Sequence, residues 1–193
     1  MVFAFSIGFG AFMFVFALTI QDGLHADALH GGLAILPMAV LFFLGSVFAP
    51  SLIGRFGRAA LSIGAIIQLA ALVAVVVRGW PHVSLWDMAL PLALAGAGQS
   101  MLFAGLFRSV LADVPTHLGG VGSGVLITLQ QSGLALGVAT LGTVYLARAE
   151  HNTAHAFATV ELVQMAIIVL LAIGVAALPP FTTVSADTPM VDA

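Results

Sequence analysis

Residues 31–53 read GGLAILPMAVLFFLGSVFAPSLI, 23 positions without a charged side chain, closed shortly afterwards by Arg55. The hydrocarbon core of a bilayer takes about 20 apolar residues of helix to cross. A charge at its centre costs about 2.5–3.5 kcal/mol even on the lenient insertion scale. The stretch therefore reads as a membrane-spanning helix whose end the arginine marks. It is continuously apolar at helix length, without the alternation over about ten residues that a transmembrane β-strand requires.

The same reading extends in both directions along the chain. Residues 1–20 are uncharged up to Gln21-Asp22, and 59–77 run to Arg78. Residues 88–107 lie between Asp87 and Arg108. The stretch 120–147 lies between Asp113 and Arg148, with Pro115 and Gly119-Gly120 placing its helix start near Gly120. The last run, 162–178, follows Glu161 and stops at Pro179-Pro180. The expectation is an all-α membrane protein: a six-helix transmembrane domain over 1–179 and a polar, disordered tail over 180–193. On this reading Asp87 and Glu161 sit at span ends, so the chain has no buried proton carrier of its own.

Composition agrees and excludes much else. Of 193 residues, 61% are hydrophobic and 7% charged, with a mean hydropathy of +1.17; an ordinary soluble domain carries roughly 25% charged residues. Five Arg, no Lys and eight acids give a net charge of −3, so no basic patch exists for nucleic acid. Zero Cys removes disulfides, thiolate nucleophiles and Cys-ligated metals. A soluble enzyme is excluded.

Orientation follows from the arginines. With a cytoplasmic N-terminus, Arg55, Arg58 and Arg108 fall inside and Arg78 and Arg148 outside, a three-to-two positive-inside tally. The Asp22, His25, Asp27, His30 loop and the interfacial pair Trp80 and Trp86 suit the outer face. Six spans put both termini on one side, here the cytoplasm. Met1 is followed at once by apolar residues, without the basic leader of a signal peptide. A chain starting inside a helix reads as a fragment or an internal start; a true short-headed protein is the alternative.

The loop Pro50-Ser-Leu-Ile-Gly54-Arg55-Phe-Gly57-Arg58 forms a cationic turn. Gly57 permits the reversal, and Arg55 and Arg58 serve as caps on the preceding helix, as contacts to lipid phosphate, or as plain positive-inside anchors. The fifth span carries two GxxxG pairs, Gly120/Gly124 and Gly133/Gly137, whose small residues let helix backbones approach closely. Gln130 and Gln131 point about 100° apart, so one of them faces protein or water, and this helix belongs at an interface. The fourth span offers Gln99 and Ser100 beside Gly96 and Gly98, then Phe103 and Phe107, as cavity-lining residues or as a small-residue crossing. Phe5, Phe9, Phe12 and Phe16 share one helical face; they pack, face lipid, or contact lipophilic compounds in a cavity. His151 and His155 lack a metal-site pattern. Val121 replaces the leading Gly of a GxSG serine motif, and Gly119–Gly124 lacks the lysine of a phosphate loop. No metal or cofactor is expected.

In order along the chain, Gln21-Asp-Gly, Gly31-Gly-Leu-Ala-Ile-Leu-Pro37, Gly54-Arg-Phe-Gly-Arg58, Gly64, Gly96-Ala-Gly-Gln-Ser100, Leu111-Ala-Asp-Val-Pro115, Gly119–Gly124, Thr128–Gly137 and Gly142-Thr-Val resemble one family. It is the major facilitator superfamily, in the C-terminal half of the fourteen-span drug/proton antiporters of the QacA/EmrB type. The resemblance covers nearly the whole chain and implies that the six helices form one half of a major facilitator fold. It implies further that the first and fourth helices line a central cavity, the second and fifth meet the other half, and the third and sixth face lipid. Phe12, Phe16, Gln99, Ser100 and Phe103 are then substrate-cavity residues. Arg55, Gly57 and Arg58 are the cytoplasmic loop motif, although Gly54 stands where the complete motif is acidic. Gly120, Gly124, Gly133, Gly137 and Gln131 pack helices, Gly133 and Gly137 against the other half. The function so implied is the C-terminal portion of a proton-driven multidrug efflux antiporter in a bacterial inner membrane, inactive alone. Its partners are the lipid bilayer, lipophilic or cationic small molecules, and protons carried by a missing N-terminal half. A half-size protein that dimerises into a pore, or a non-transporting membrane subunit, are the alternatives.

Overall fold

The computed structural model of the chain describes residues 1–23, 27–78, 85–112 and 114–177. The expectations placed on His25, Trp80, Asp113 and the tail 180–193 lie outside them. The helices are α1 (Val2–Leu18), α2 (Ala28–Phe56), α3 (Arg58–Arg78), α4 (Leu85–Leu111), α5 (Gly119–Gly137), α6 (Thr143–Ala149) and α7 (Thr153–Ala177). A π-turn, Thr19–Gly23, ends α1, and a second, Val138–Gly142, joins α5 to α6. Among the described residues six helical stretches are long and apolar enough to cross a membrane. The fifth runs from Thr116 to Ala149 and includes both α5 and α6.

Local chemistry sets the ends. Asp27 caps α2, its Oδ1 accepting the His30 backbone N–H at 2.9 Å. This is the side-chain capping that an otherwise unpaired first-turn donor calls for. Gly57 closes the same helix at φ 55°, where a side chain would be strained, with its N–H on the Ile53 carbonyl at 2.8 Å. Asn152 starts α7, its Oδ1 accepting from the His155 N–H at 3.0 Å. That cap corrects one expectation. The last helix begins at Thr153, so Glu161 lies inside it, about 12 Å along at 1.5 Å per residue. It does not sit at a span end.

α1 and α4 are the most buried spans, and α2 and the fifth span the least. α1 packs mainly on α5 and α7, and α4 on α2 and α3; α3 and α7 join the two groups. Exchanging the first three spans with the last three maps these pairings onto one another. Such inverted pairing is the pattern of transporter halves built from repeated three-helix units.

Glycine makes the pairings close. A Cβ on Gly98 of α4 would stand 2.6 Å from the Gln68 nitrogen and 2.7 Å from the Gly64 carbonyl of α3. One on Gly133 of α5 would stand 2.8 Å from the Phe3 carbonyl of α1, and Gly137 is pressed against the Ile7 carbonyl. In a bilayer no hydrophobic drive separates helix from lipid, so such backbone contact supplies the association.

Two outcomes follow. Gly98→Ala should lower stability by about 1–3 kcal/mol, the range for overpacking, in an SDS-unfolding titration followed by helicity. Gly124→Ala, where a Cβ meets nothing within 4 Å, should be neutral or gain up to about 1 kcal/mol of helix propensity. Equal effects of the two would refute the close approach of α3 and α4. Separately, the His30 N–H, and then the His30 ring, hold the Asp27 carboxyl below its ordinary 3.8. The cap's contribution is therefore full above 3.8 and is lost as pH falls through the lower folded value. Amide exchange in the first turn of α2 should accelerate only in that acid window, and in Asp27→Ala at every pH.

Candidate functional site

A polar side chain inside a membrane bundle must find its partner within the protein. Several do. Ser6 donates to the Val2 carbonyl at 2.8 Å, and Thr19 donates to the buried Tyr145 hydroxyl at 2.8 Å, tying the end of α1 to α6. Ser100 donates to the Ala97 carbonyl at 2.8 Å.

Four buried side chains do not. Gln68 on α3, Gln99 on α4, and Glu161 and Gln164 on α7 are each no more than 3% exposed. Gln68 Oε1, Gln99 Oε1, Gln164 Oε1 and both Glu161 carboxyl oxygens have no hydrogen-bond partner. Every one of these atoms is an acceptor. Leaving a buried acceptor unpaired costs about 1–3 kcal/mol, so their grouping on three packed helices marks the site of greatest chemical potential in the chain.

Their placement follows from the packing. Gly98 rests on the backbone of Gln68, and a Cβ on Gly8 of α1 would lie 3.3 Å from Gln164 Cγ. α3 and α7 are antiparallel, pinned at one end by Arg58 Nη1 donating to the Ala176 carbonyl at 3.3 Å. Gln68 and Gln164 lie on the two helices that join the groups of the bundle. The sequence names Gln99 of this group; Glu161, read there as a boundary, hides the part on α7. The available signal was Glu161 and Gln164 three apart, with apolar residues on both sides.

Apart from Gln99, the residues singled out from sequence fall elsewhere. Phe12 and Phe16 are buried in the main core and stacked at 5.5 Å between centroids; both belong to the packing of α1. Phe16 also borders a cavity of about 230 Å³, lined with Ala17, Ile20, Gln21, Gly31, Gly32 and Ile35 where α1 gives way to α2. Phe103 is half-buried, stacked on Phe107 at 4.3 Å and edge-on to Phe42 at 6.0 Å. Gln99 is part of the unpartnered group. Ser100 faces Gly45 of α2, filling the space a side chain there would need. Gly133 and Gly137 meet α1 of this same chain, not a second half. Gly120, Gly124 and Gln131 are turned outward, and the two glycines have no neighbour within 4 Å of a built Cβ.

In the loop, Gly57 makes the reversal. Arg55 lies over the Phe56 ring at 5.6 Å. Arg58 donates to the Ala176 carbonyl near the end of α7, because α3 leaves the turn alongside the last helix. A Cβ at Gly54 would be 3.9 Å from Arg108 Nη1, so this end of the bundle gathers three arginines.

No known protein-family profile matches the chain. A probable actinorhodin transporter of Streptomyces coelicolor is 32% identical over 145 residues, 73% of this chain and 25% of that protein. MdtD of Yersinia enterocolitica, named for multidrug resistance, is 29% identical over 150 residues, 76% of this chain and 31% of that protein. The puromycin resistance protein pur8 of Streptomyces alboniger is 32% identical over 164 residues, 79% and 32% respectively. The chain spans about a quarter to a third of the length of these curated relatives. It has distant homology to part of the drug efflux transporters of the major facilitator superfamily, which are transporters and not enzymes.

The unpartnered acceptors make a stability prediction. Removing an unsatisfied amide in favour of an apolar side chain of similar size is neutral or stabilising. Gln99→Leu should therefore leave SDS-unfolding stability unchanged or raise it by about 1–3 kcal/mol. A loss of that size would mean that the Gln99 amide is held by a partner in the membrane.

Proposed function

We propose that this chain is the C-terminal six-helix portion of a proton-driven multidrug efflux antiporter of the fourteen-span type, working by alternating access. The observation that carries the reading is the bundle of two interlocked three-helix groups, joined to similarity with a quarter to a third of proteins named for antibiotic transport or resistance. Half of such a transporter supplies one wall of a midplane cavity, and rocking against a second half exposes it to either side.

The parent's substrates would be lipophilic, often cationic compounds. Phe42, Phe103 and Phe107 on α2 and α4 give a half-buried aromatic surface suited to them, through apolar contact and the attraction of a cation to a ring face. Phe12 and Phe16, already enclosed in the core, support that surface from behind. The outward faces of α2 and of the fifth span, with Gly120 and Gly124, are open for the other half or for lipid. The bundle sits in a bacterial inner membrane with the Arg55, Arg58 and Arg108 end in the cytoplasm, where both termini also lie.

Export assays in a pump-deficient bacterium test the reading. Extended to its full reading frame, the protein should extrude ethidium from energised cells and stop when an uncoupler collapses the proton gradient. Residues 1–193 alone should not. Extrusion by this chain alone would replace the proposal with a half-size protein that pairs with itself, and retention of ethidium by both would remove it.

A further inference from the structure

The carboxyl of Glu161 has no role in the transport reading above, which places proton coupling in another part of the protein. It lies inside α7, has no exposed surface, and neither of its oxygens has a hydrogen-bond partner. Gln164 follows three residues later on the same buried face, its own Oε1 unpartnered. Gln68, on the adjoining α3, is the third acceptor of the group.

We propose that Glu161 is a proton-binding site within the bundle, with the amide of Gln164, three residues on along the same helix, as the group its O–H meets. The chemistry is that of the unpaired atoms. Each amide carries N–H donors that a carboxylate oxygen can accept, but a carboxylate has no hydrogen to give to an amide oxygen. A proton taken up by the carboxylate converts one oxygen into an O–H, which donates to an amide oxygen and leaves the second oxygen free to accept an amide N–H. One proton thus converts mutually unsatisfied groups into a bonded set. Release of the proton restores the carboxylate, which only accepts, and leaves the amide oxygen without that donor.

A monovalent cation is the competing occupant, and the backbone argues against it. Cation sites in transporter helices draw on carbonyls released where a helix is unwound. α7 is unbroken from Thr153 to Ala177, and α3 from Arg58 to Arg78. Carbonyls committed to helical bonds are not available as a coordination shell.

The charged and titratable groups on the surrounding elements are few. α1 carries none, and the π-turn after it carries Asp22. α3 carries Arg58 and Arg78, both exposed at its ends. α6 carries exposed Arg148 and buried Tyr145, the latter receiving the Thr19 hydroxyl. On α7 itself the other group is His155, exposed in the second turn. Neither Glu161 oxygen has a hydrogen bond to any described group on these elements.

The inference stands apart from the transport reading, because proton binding can be measured on this chain. The purified chain in detergent micelles is treated with dicyclohexylcarbodiimide, an apolar reagent that adds to protonated carboxyls, and the adduct is located by mass spectrometry. Labelling at Glu161 should be present at low pH and lost as pH rises, with helicity unchanged. Glu161→Gln should abolish that adduct, and Gln164→Leu should shift the pH at which labelling disappears. No adduct at Glu161 at any pH, or labelling indifferent to pH, overturns the proposal. Protection by sodium at fixed pH would instead assign the site to a cation. If Glu161→Gln fails to fold, the pH profile of the unaltered chain decides the matter.

Discussion

Hydrocarbon offers no hydrogen bonds, and that constraint orders the whole molecule. It forces the backbone into helices, because only a helix pairs its own N–H and C=O groups without a neighbouring strand. It drives Ser6, Ser100 and Thr128 to donate to carbonyls of their own helices. It sends the Thr19 hydroxyl across to Tyr145, which fixes the end of α1 against α6. Against so complete an accounting, the five unpartnered oxygens of Gln68, Gln99, Glu161 and Gln164 stand out. They occur on α3 and α7, which join the two groups of the bundle, and on α4, which packs on α3.

The second organising fact is the use of glycine in place of hydrophobic collapse. Water would drive apolar helices together without regard to detail, but lipid does not. The chain compensates by bringing backbones into contact, α4 onto α3 at Gly98 and α5 onto α1 at Gly133 and Gly137. These contacts hold each three-helix group tightly and leave α2 and the fifth span with broad outward faces. The unpartnered polar residues lie on α3, α4 and α7, with Gln164 against Gly8 of α1.

Much of this was legible in the sequence, for a simple reason. Thirteen charges in 193 residues can scarcely avoid marking the ends of spans, and six spans follow from their positions. The rule failed at the residue that breaks it. Glu161 was read as a boundary because charges usually are, yet Asn152 had already started the helix with its side-chain cap. A cap is local chemistry that hydropathy does not register. The phenylalanine stripe and the glycine pairs were visible as faces, but not what each face meets. Phe12 and Phe16 turned inward to the core, Gly133 and Gly137 to α1, and Gly120 and Gly124 outward. Periodicity defines a face; only the order of the helices around the bundle assigns its neighbour.

Glu161 also differs in kind from a carboxyl on a cavity wall. A cavity carboxyl acts on what enters the cavity. A carboxyl buried on α7 acts on the packing of the bundle itself, since α7 and α3 are the main join between its two groups. With its oxygens unpaired, the polar groups there weaken the join; with a proton shared among the carboxyl and the amides, they strengthen it by hydrogen bonds worth more in a low-dielectric interior than in water.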